Sequence, residues 1–161
     1  MKKQANHMTH KTLNQRRQLL KAGVAIGTWL WVGNATANSD ELAAAIRSFA
    51  AGAPVKAGRV LLDIAPIVDN GNTVPLTVSV ESPMTAGDHV TAIAIFNERN
   101  PQREVAKFSL SPRSGRARVA TRIRLATTQQ LVAVARMNDG TCWSHTVNVN
   151  VSIAACLEEV V

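Results

Sequence analysis

Two cysteines, Cys142 and Cys156, are the side chains of this sequence with the widest range of chemistry. In an oxidising compartment an even number of cysteines suggests a disulfide bond. The spacing argues against one, because Cys142 begins the last predicted strand and Cys156 lies three residues beyond its end at Ile153. Eleven residue-to-residue steps of about 3.3 Å place Cys142 and Ile153 roughly 36 Å apart, whereas a disulfide needs its Cα atoms within about 7 Å. We predict that the cysteines do not pair.

The two cysteines differ in their expected surroundings. By strand parity Trp143 shares the core face with Val147, so Cys142 is expected to point outward as a small strand residue without chemical consequence. Cys156 lies beyond the last strand, five residues from the end of the sequence, where segments are usually accessible. Two interpretations of Cys156 stay open: an accessible, reactive thiol, or an inert thiol packed against the domain beside Leu157.

A second candidate is a basic stripe of four arginines that share one parity of the fifth predicted strand: Arg116, Arg118, Arg122 and Arg124. A regular row of cations can bind an anion or the acidic surface of a partner. The plainer interpretation is a solvated strand face whose charges discourage edge-to-edge pairing. The pattern alone leaves both open.

Other catalytic arrangements are missing from the sequence. No general base, orienting group or C-x-x-C spacing accompanies either cysteine, which disfavours a thiol enzyme. His89 and His145 lie on separate predicted strands without a carboxylate or cysteine at metal-ligand spacing. No glycine-rich phosphate loop is present. We therefore predict a non-enzymatic protein without a metal site or cofactor.

The basic residues are unevenly distributed. The formal net charge is +7, but six of the 18 Lys and Arg residues lie in the first 21 positions, and none of the 11 acidic residues lies before Asp40. From Asn38 onward 12 basic and 11 acidic residues leave a net charge of +1. A nearly neutral remainder gives no reason to expect a nucleic-acid partner.

The N-terminal segment has the pattern of an export signal. A basic region containing Arg16 and Arg17 precedes an apolar stretch at 22–33, and Ala35-Thr36-Ala37 fits a signal peptidase site. Twelve apolar residues are too few to span a bilayer stably, so no membrane span is expected in the mature chain. The paired arginines resemble a twin-arginine signal; an ordinary Sec signal is the alternative. We predict removal of residues 1–37 after Ala37 and a periplasmic protein.

The mature sequence predicts one helix followed by strands. Leu42, Ile46 and Phe49 have helical spacing within a predicted helix at 40–51. Seven segments with a period of two follow, separated by turn signals: 59–64, 73–81, 89–96, 104–110, 116–125, 130–137 and 141–153. In the last of them Val147, Val149, Val151 and Ile153 are expected to face inward. This pattern is typical of an all-β, immunoglobulin-like sandwich, here at 38–153, followed by a short arm at 154–161.

Several segments in the same order resemble the SoxY family, the cysteine-bearing half of the SoxYZ sulfur carrier: Pro54–Asp63, Asn70–Val80, Ser82–Met84, Phe96–Pro101 and Arg122–Ala126. The resemblance implies an immunoglobulin-like sandwich that forms a heterodimer with a SoxZ-like subunit. It also implies a carrier whose arm cysteine holds sulfur intermediates covalently and presents them to the sulfur-oxidation enzymes of the periplasm. The alternative is a non-catalytic interaction module that pairs with such a subunit while its cysteine stays inert.

The arm of this sequence departs from the family pattern. Family members carry Gly-Gly-Cys-Gly-Gly, and here the matching position of the cysteine is Cys156, flanked by Ala154, Ala155, Leu157 and Glu158. Alanine has far less backbone freedom than glycine. Glu158 and Glu159 place negative charge near the sulfur, which is expected to disfavour the thiolate. The identity of the cargo and of the enzymes that load it is left open by this departure.

Overall fold

The computed structural model describes residues 37–153, with side chains from Ser39 onward. The predicted export signal, apart from its last residue Ala37, and the predicted arm at 154–161 with Cys156 lie outside the described residues. The described part consists of one helix, nine strands and a short 3-10 turn at Pro112–Ser114. These elements are α1 Ala37–Phe49, β1 Val55–Ala57, β2 Val60–Ile64, β3 Ile67–Asn70, β4 Val74–Val80, β5 Val90–Asn97, β6 Glu104–Ser109, β7 Arg118–Ile123, β8 Gln129–Met137 and β9 Cys142–Ile153.

The strands form two sheets that make an immunoglobulin-like sandwich. The large sheet has the order β1-β9-β8-β5-β6, with β3 also paired to β9, and the small sheet has the order β2-β4-β7. All pairs are antiparallel except β1 with β9 and β3 with β9. The first half of β9 is therefore paired to β1 and the second half to β3, while β8 runs along its other edge.

The main core fills the space between the two sheets. On β4 the side chains alternate, so that Val74, Leu76, Val78 and Val80 are buried and the residues between them face solvent or are half-buried. The large sheet contributes Ile93, Ile95, Leu131, Ala133 and Val149 to the same core. Burial of aliphatic side chains on both inner faces is the main stabilising contribution in a sandwich of this type.

A second core lies on the opposite face of the large sheet, where α1 packs. Leu42 and Phe49 are buried there, and the Phe49 ring makes an edge-to-face contact with Phe96 at 5.8 Å between ring centroids. Both ends of the helix are tied to the sheet. Arg103 pairs with Glu41 at 2.6 Å, and Arg136 Nη1 donates to the Phe49 carbonyl at 3.4 Å. The large sheet is thus covered on both faces.

The sequence predictions for the fold are confirmed in class and corrected in detail. The helix and all seven predicted strands are present, and β1 and β3 are additional. Both additional strands have three or four residues and are mostly exposed, so they carry no alternating signal. Asp69 and Asn70, which lie between two predicted strands, belong to β3. Ile153, expected to face the core, is 64% exposed; it lies beyond Val149, the last residue of β9 that pairs with β8. Within residues 37–153 no helix combines the length and hydrophobicity that a bilayer crossing requires.

Candidate functional site at the end of strand β9

Strand β9 carries the chain to the point where the arm begins, and its last residues are firmly held. The Gly71 amide donates to the Ile153 carbonyl at 2.9 Å, and the Leu125 amide donates to the Gly71 carbonyl at 2.8 Å. On the other edge the Val151 amide donates to Thr128 Oγ1 at 2.9 Å. The backbone is therefore fixed by hydrogen bonds up to Ile153, three residues before Cys156.

The surface around this end of β9 is open. Asn150, Ser152 and Ile153 are exposed. Three residues span at most about 10 Å, so the Cys156 backbone lies within that distance of Ile153. The position of Cys156 itself lies outside the described residues. The structure thus defines the anchor of the predicted site, and the role of Cys156 stays a prediction.

Cys142 is not where the sequence predicted it. The prediction of an outward-facing side chain is wrong, because Cys142 is 0% exposed and belongs to the core beneath α1. The prediction that Cys142 and Trp143 face opposite sides of the sheet is confirmed. The error was to assume that the second face meets solvent, whereas α1 covers it.

Burial also determines the chemical state of Cys142. Desolvation raises the pKa of the Cys142 thiol above its ordinary value, and the charge of Arg136 offsets only part of this effect. The thiol makes one weak contact, to the Gly140 carbonyl at 3.9 Å. A protonated, enclosed thiol is a poor nucleophile. Cys142 is a free cysteine at the opposite end of β9 from Ile153, as the separation estimated from the sequence requires.

The predicted basic stripe is exposed along its whole length. Arg116, Arg118, Arg122 and Arg124 all face solvent, while the alternate residues Ala117, Ile123 and Leu125 are buried. Strand β7 is an edge strand of the small sheet, where Arg118 is opposite Ser79 and Arg122 is opposite Pro75. The fold separates the four arginines into two pairs. Arg122 and Arg124 lie near the end of β9, and Arg116 and Arg118 lie at the far end of β7.

Three residues hold the framework of the site in ways that the sequence analysis did not predict. Gly71 and Thr128 anchor the end of β9, and His145 Nδ1 accepts a hydrogen bond from the Leu62 amide at 3.0 Å. This last bond joins β9 to the edge of β2, which pairs with no other strand of the described residues on that side. The Asn70-Gly71 turn signal was visible in the sequence, but its partners come from distant strands. Residues 39–153 contain no group of three or more His, Cys, Asp or Glu side chains placed to hold a metal ion.

Comparison with known proteins gives one family match. The family model described as sulfur oxidation protein SoxY matches residues 46–156, which is more than half of the chain. The matched region ends at Cys156. No curated protein sequence matches the chain significantly.

Among solved structures, the sulfur carrier protein SoxY from Chlorobium limicola f thiosulfatophilum is 29% identical, with a TM-score of 0.61. The match covers 71% of this chain and 99% of that one. The superoxide reductase (neelaredoxin) from Ignicoccus hospitalis is 17% identical with a TM-score of 0.52, over 58% of this chain and 80% of that one. The superoxide reductase from Nanoarchaeum equitans is 12% identical with a TM-score of 0.51. The match covers 60% of this chain and 100% of that one. At such low identity the two reductases show a shared sandwich fold and nothing about activity.

Proposed function

Because the chain belongs to the SoxY family of sulfur oxidation proteins, we propose that it is a sulfur carrier that holds its cargo covalently on Cys156. Two observations together give this proposal its main support. The family match extends to Cys156, and the other cysteine, Cys142, is enclosed beneath α1. Of the two thiols, Cys156 is the one that follows an exposed strand end.

The covalent step requires no catalytic group on the carrier. The Cys156 thiolate attacks the terminal sulfur of a polysulfide anion, and a new sulfur–sulfur bond forms on the protein. The bond between the terminal sulfur and the rest of the polysulfide breaks, and the shortened polysulfide leaves with the electron pair. The protein is left with a persulfide, and no external oxidant is consumed. Thiol–disulfide exchange follows the same course. The protein thereby acts as a carrier, and separate enzymes process the cargo.

We further propose that the carrier is exported to the periplasm and pairs there with a SoxZ-like subunit. Export is supported by Arg16-Arg17 and the cleavage pattern ending at Ala37, with the twin-arginine route favoured over Sec. A protein partner is supported by the family resemblance and by the outer face of the small sheet, where Leu61 is 57% exposed beside a depression of about 390 Å³. The sulfur-oxidation enzymes of the periplasm would visit the end of β9, on which the arm is anchored.

Sulfur loading in solution tests the carrier role. Purified protein treated with inorganic tetrasulfide and desalted is expected to gain sulfur on the peptide containing Cys156, and a reductant should remove it. A periplasmic extract of a sulfur-oxidising host is expected to unload this protein, whereas a heat-denatured extract is not.

Two variants serve as matched controls for this loading. Cys156→Ser is expected to lose the gain in mass completely, because no other thiol is accessible. Cys142→Ala is expected to load as fully as the unaltered protein. Equal loading of Cys156→Ser and the unaltered protein would overturn the assignment, and the alternative of an interaction module with an inert Cys156 would replace it.

A further inference from the structure

The outer face of the small sheet is open, whereas both faces of the large sheet are covered. Eight side chains of β2, β4 and β7 point outward from it, and all of them are exposed or half-buried within the described residues. They are Leu61, Asp63, Pro75, Thr77, Ser79, Arg118, Ala120 and Arg122. A second sheet can pack on such a face at a separation of about 10 Å.

The charges on this face are separated by strand. The register places Asp63 of β2 beside Thr77 of β4, and Thr77 beside Ala120 of β7. Arg118 and Arg122 flank Ala120, each two residues away along β7. One negative charge thus lies on one edge of the face and two positive charges lie on the other edge, about 10 Å away across two strand spacings. None of these three charged side chains forms an ion pair within residues 39–153.

This arrangement of charges is complementary to itself under one kind of rotation. A two-fold axis parallel to β4 places β2 of one copy over β7 of a second copy, and the same contact is then made twice. Asp63 of one copy faces Ala120 of the other, between the cations of Arg118 and Arg122. A two-fold axis perpendicular to the strands would instead bring Asp63 against Asp63, so the charges favour the parallel axis.

The packing at the centre of the face is compatible with this contact. Thr77 lies on the axis with Ser79 and Ala120 beside it, so no large side chain holds the two sheets apart. A depression of about 370 Å³ over Thr77 and Ala120 leaves room for side chains of the second copy. Leu61, which is 57% exposed, comes to lie opposite Arg118 of the second copy, whose aliphatic stem can cover it.

We infer that two copies of this chain associate through the outer faces of their small sheets, with Asp63 of each copy between Arg118 and Arg122 of the other. Eight outward side chains per copy are fewer than the roughly 20–30 residues of a standard interface, and exposed ion pairs are individually weak. The dimer therefore forms and dissociates with protein concentration. It is the state of the chain without a SoxZ-like subunit, which would compete for the same face. The inference holds whether or not Cys156 carries sulfur.

Sedimentation velocity of the mature chain alone, at low salt, tests this dimer. A reductant is present throughout, so that a disulfide between two chains cannot account for association. The sedimentation coefficient is expected to rise from that of a monomer to that of a dimer between low and high micromolar concentration. In 1 M salt charges are screened beyond about 3 Å, and the dissociation constant of the dimer is expected to rise several-fold.

Charge reversal identifies the face that is used. Asp63→Arg places a cation between the two arginines of the second copy and is expected to raise the dissociation constant at least about tenfold, since like charges then meet twice in the symmetric dimer. The matched control is Asp69→Arg, which makes the same change at an exposed residue of β3, outside this face, and should leave the dimer nearly unchanged.

A chain with exchanged charges adds a rescue that a loss of folding cannot imitate. Asp63→Arg combined with Arg118→Asp and Arg122→Asp is expected to dimerise with itself and to associate poorly with the unaltered chain. An unaltered chain that stays monomeric at every concentration would overturn the inference and leave this face to the SoxZ-like subunit. Equal effects of Asp63→Arg and Asp69→Arg, or an exchanged chain that is folded by denaturant unfolding yet monomeric, would overturn it as well.

Discussion

Alkylation of the native protein is expected to modify Cys156 and to leave Cys142 unmodified. Cys142 is 0% exposed beneath α1, and burial raises the pKa of its thiol, so both access and nucleophilicity are reduced at neutral pH. Reaction at Cys142 requires α1 to open. If that local opening costs about 4 kcal/mol, Cys142 reacts about 1000-fold more slowly than an accessible thiol. The measurement is peptide mapping after timed treatment with iodoacetamide at mildly alkaline pH.

Single-cysteine variants make this result unambiguous. Cys142→Ala leaves Cys156 as the one thiol of the chain, and the labelling rate should match that of the unaltered protein. Cys156→Ser leaves only Cys142 and should react at a measurable rate only once the protein is unfolded by denaturant. If Cys142 were labelled first, or if Cys156 reacted only after unfolding, Cys156 could not serve as the accessible carrier thiol.

Phe96→Ala is expected to lower the free energy of unfolding by about 3–5 kcal/mol, the range found when a fully buried aromatic side chain is truncated. Phe96 is 0% exposed and packs edge-to-face on Phe49, so its removal leaves a cavity between α1 and the large sheet. Denaturant unfolding measures the loss. The matched control is Phe108→Ala on β6. The Phe108 side chain is half-buried, so its truncation should lower the free energy of unfolding markedly less.

The same variant connects packing to the chemistry of the cysteines. Because Phe96 and Cys142 belong to one core beneath α1, weaker helix packing should make Cys142 react faster while Cys156 keeps its rate. A loss below about 1 kcal/mol, or an unchanged Cys142 rate in a destabilised protein, would contradict the view that α1 protects this thiol.

The parts of the fold with one solvated face were predictable from sequence. Strand β4 alternates because one side meets the core and the other meets solvent, as the period of two at 73–81 predicts. Strands β5 and β8 are buried on nearly every residue, because helix and small sheet cover both faces of the large sheet. In such strands alternate side chains face two different cores, so the alternation does not distinguish a core residue from a solvent-exposed one. The prediction for Cys142 was wrong for this reason, although α1 itself was predicted.

The candidate site was predictable only in part. The arginines of β7 were correctly expected to share one exposed face, because a strand repeats every two residues. Their division into a pair near the arm and a pair far from it depends on Gly71, which links β9 to the residue after Arg124. Such a contact joins segments that are distant in the sequence, and no local pattern encodes it. Strands β1 and β3 were missed for a related reason, since their pairing with β9 is what makes them strands.

The most direct test of the carrier role is mass analysis of the protein purified without reductant from the periplasm of its native host, grown on reduced sulfur compounds. We predict a chain that begins at Asn38, co-elutes with a small SoxZ-like subunit, and carries a reductant-labile sulfur adduct that maps to Cys156. Cys142 in the same sample should be an unmodified thiol. A protein whose Cys156 is free of sulfur throughout growth on these compounds, or whose adduct maps to Cys142, would contradict the proposal that Cys156 is the carrier thiol.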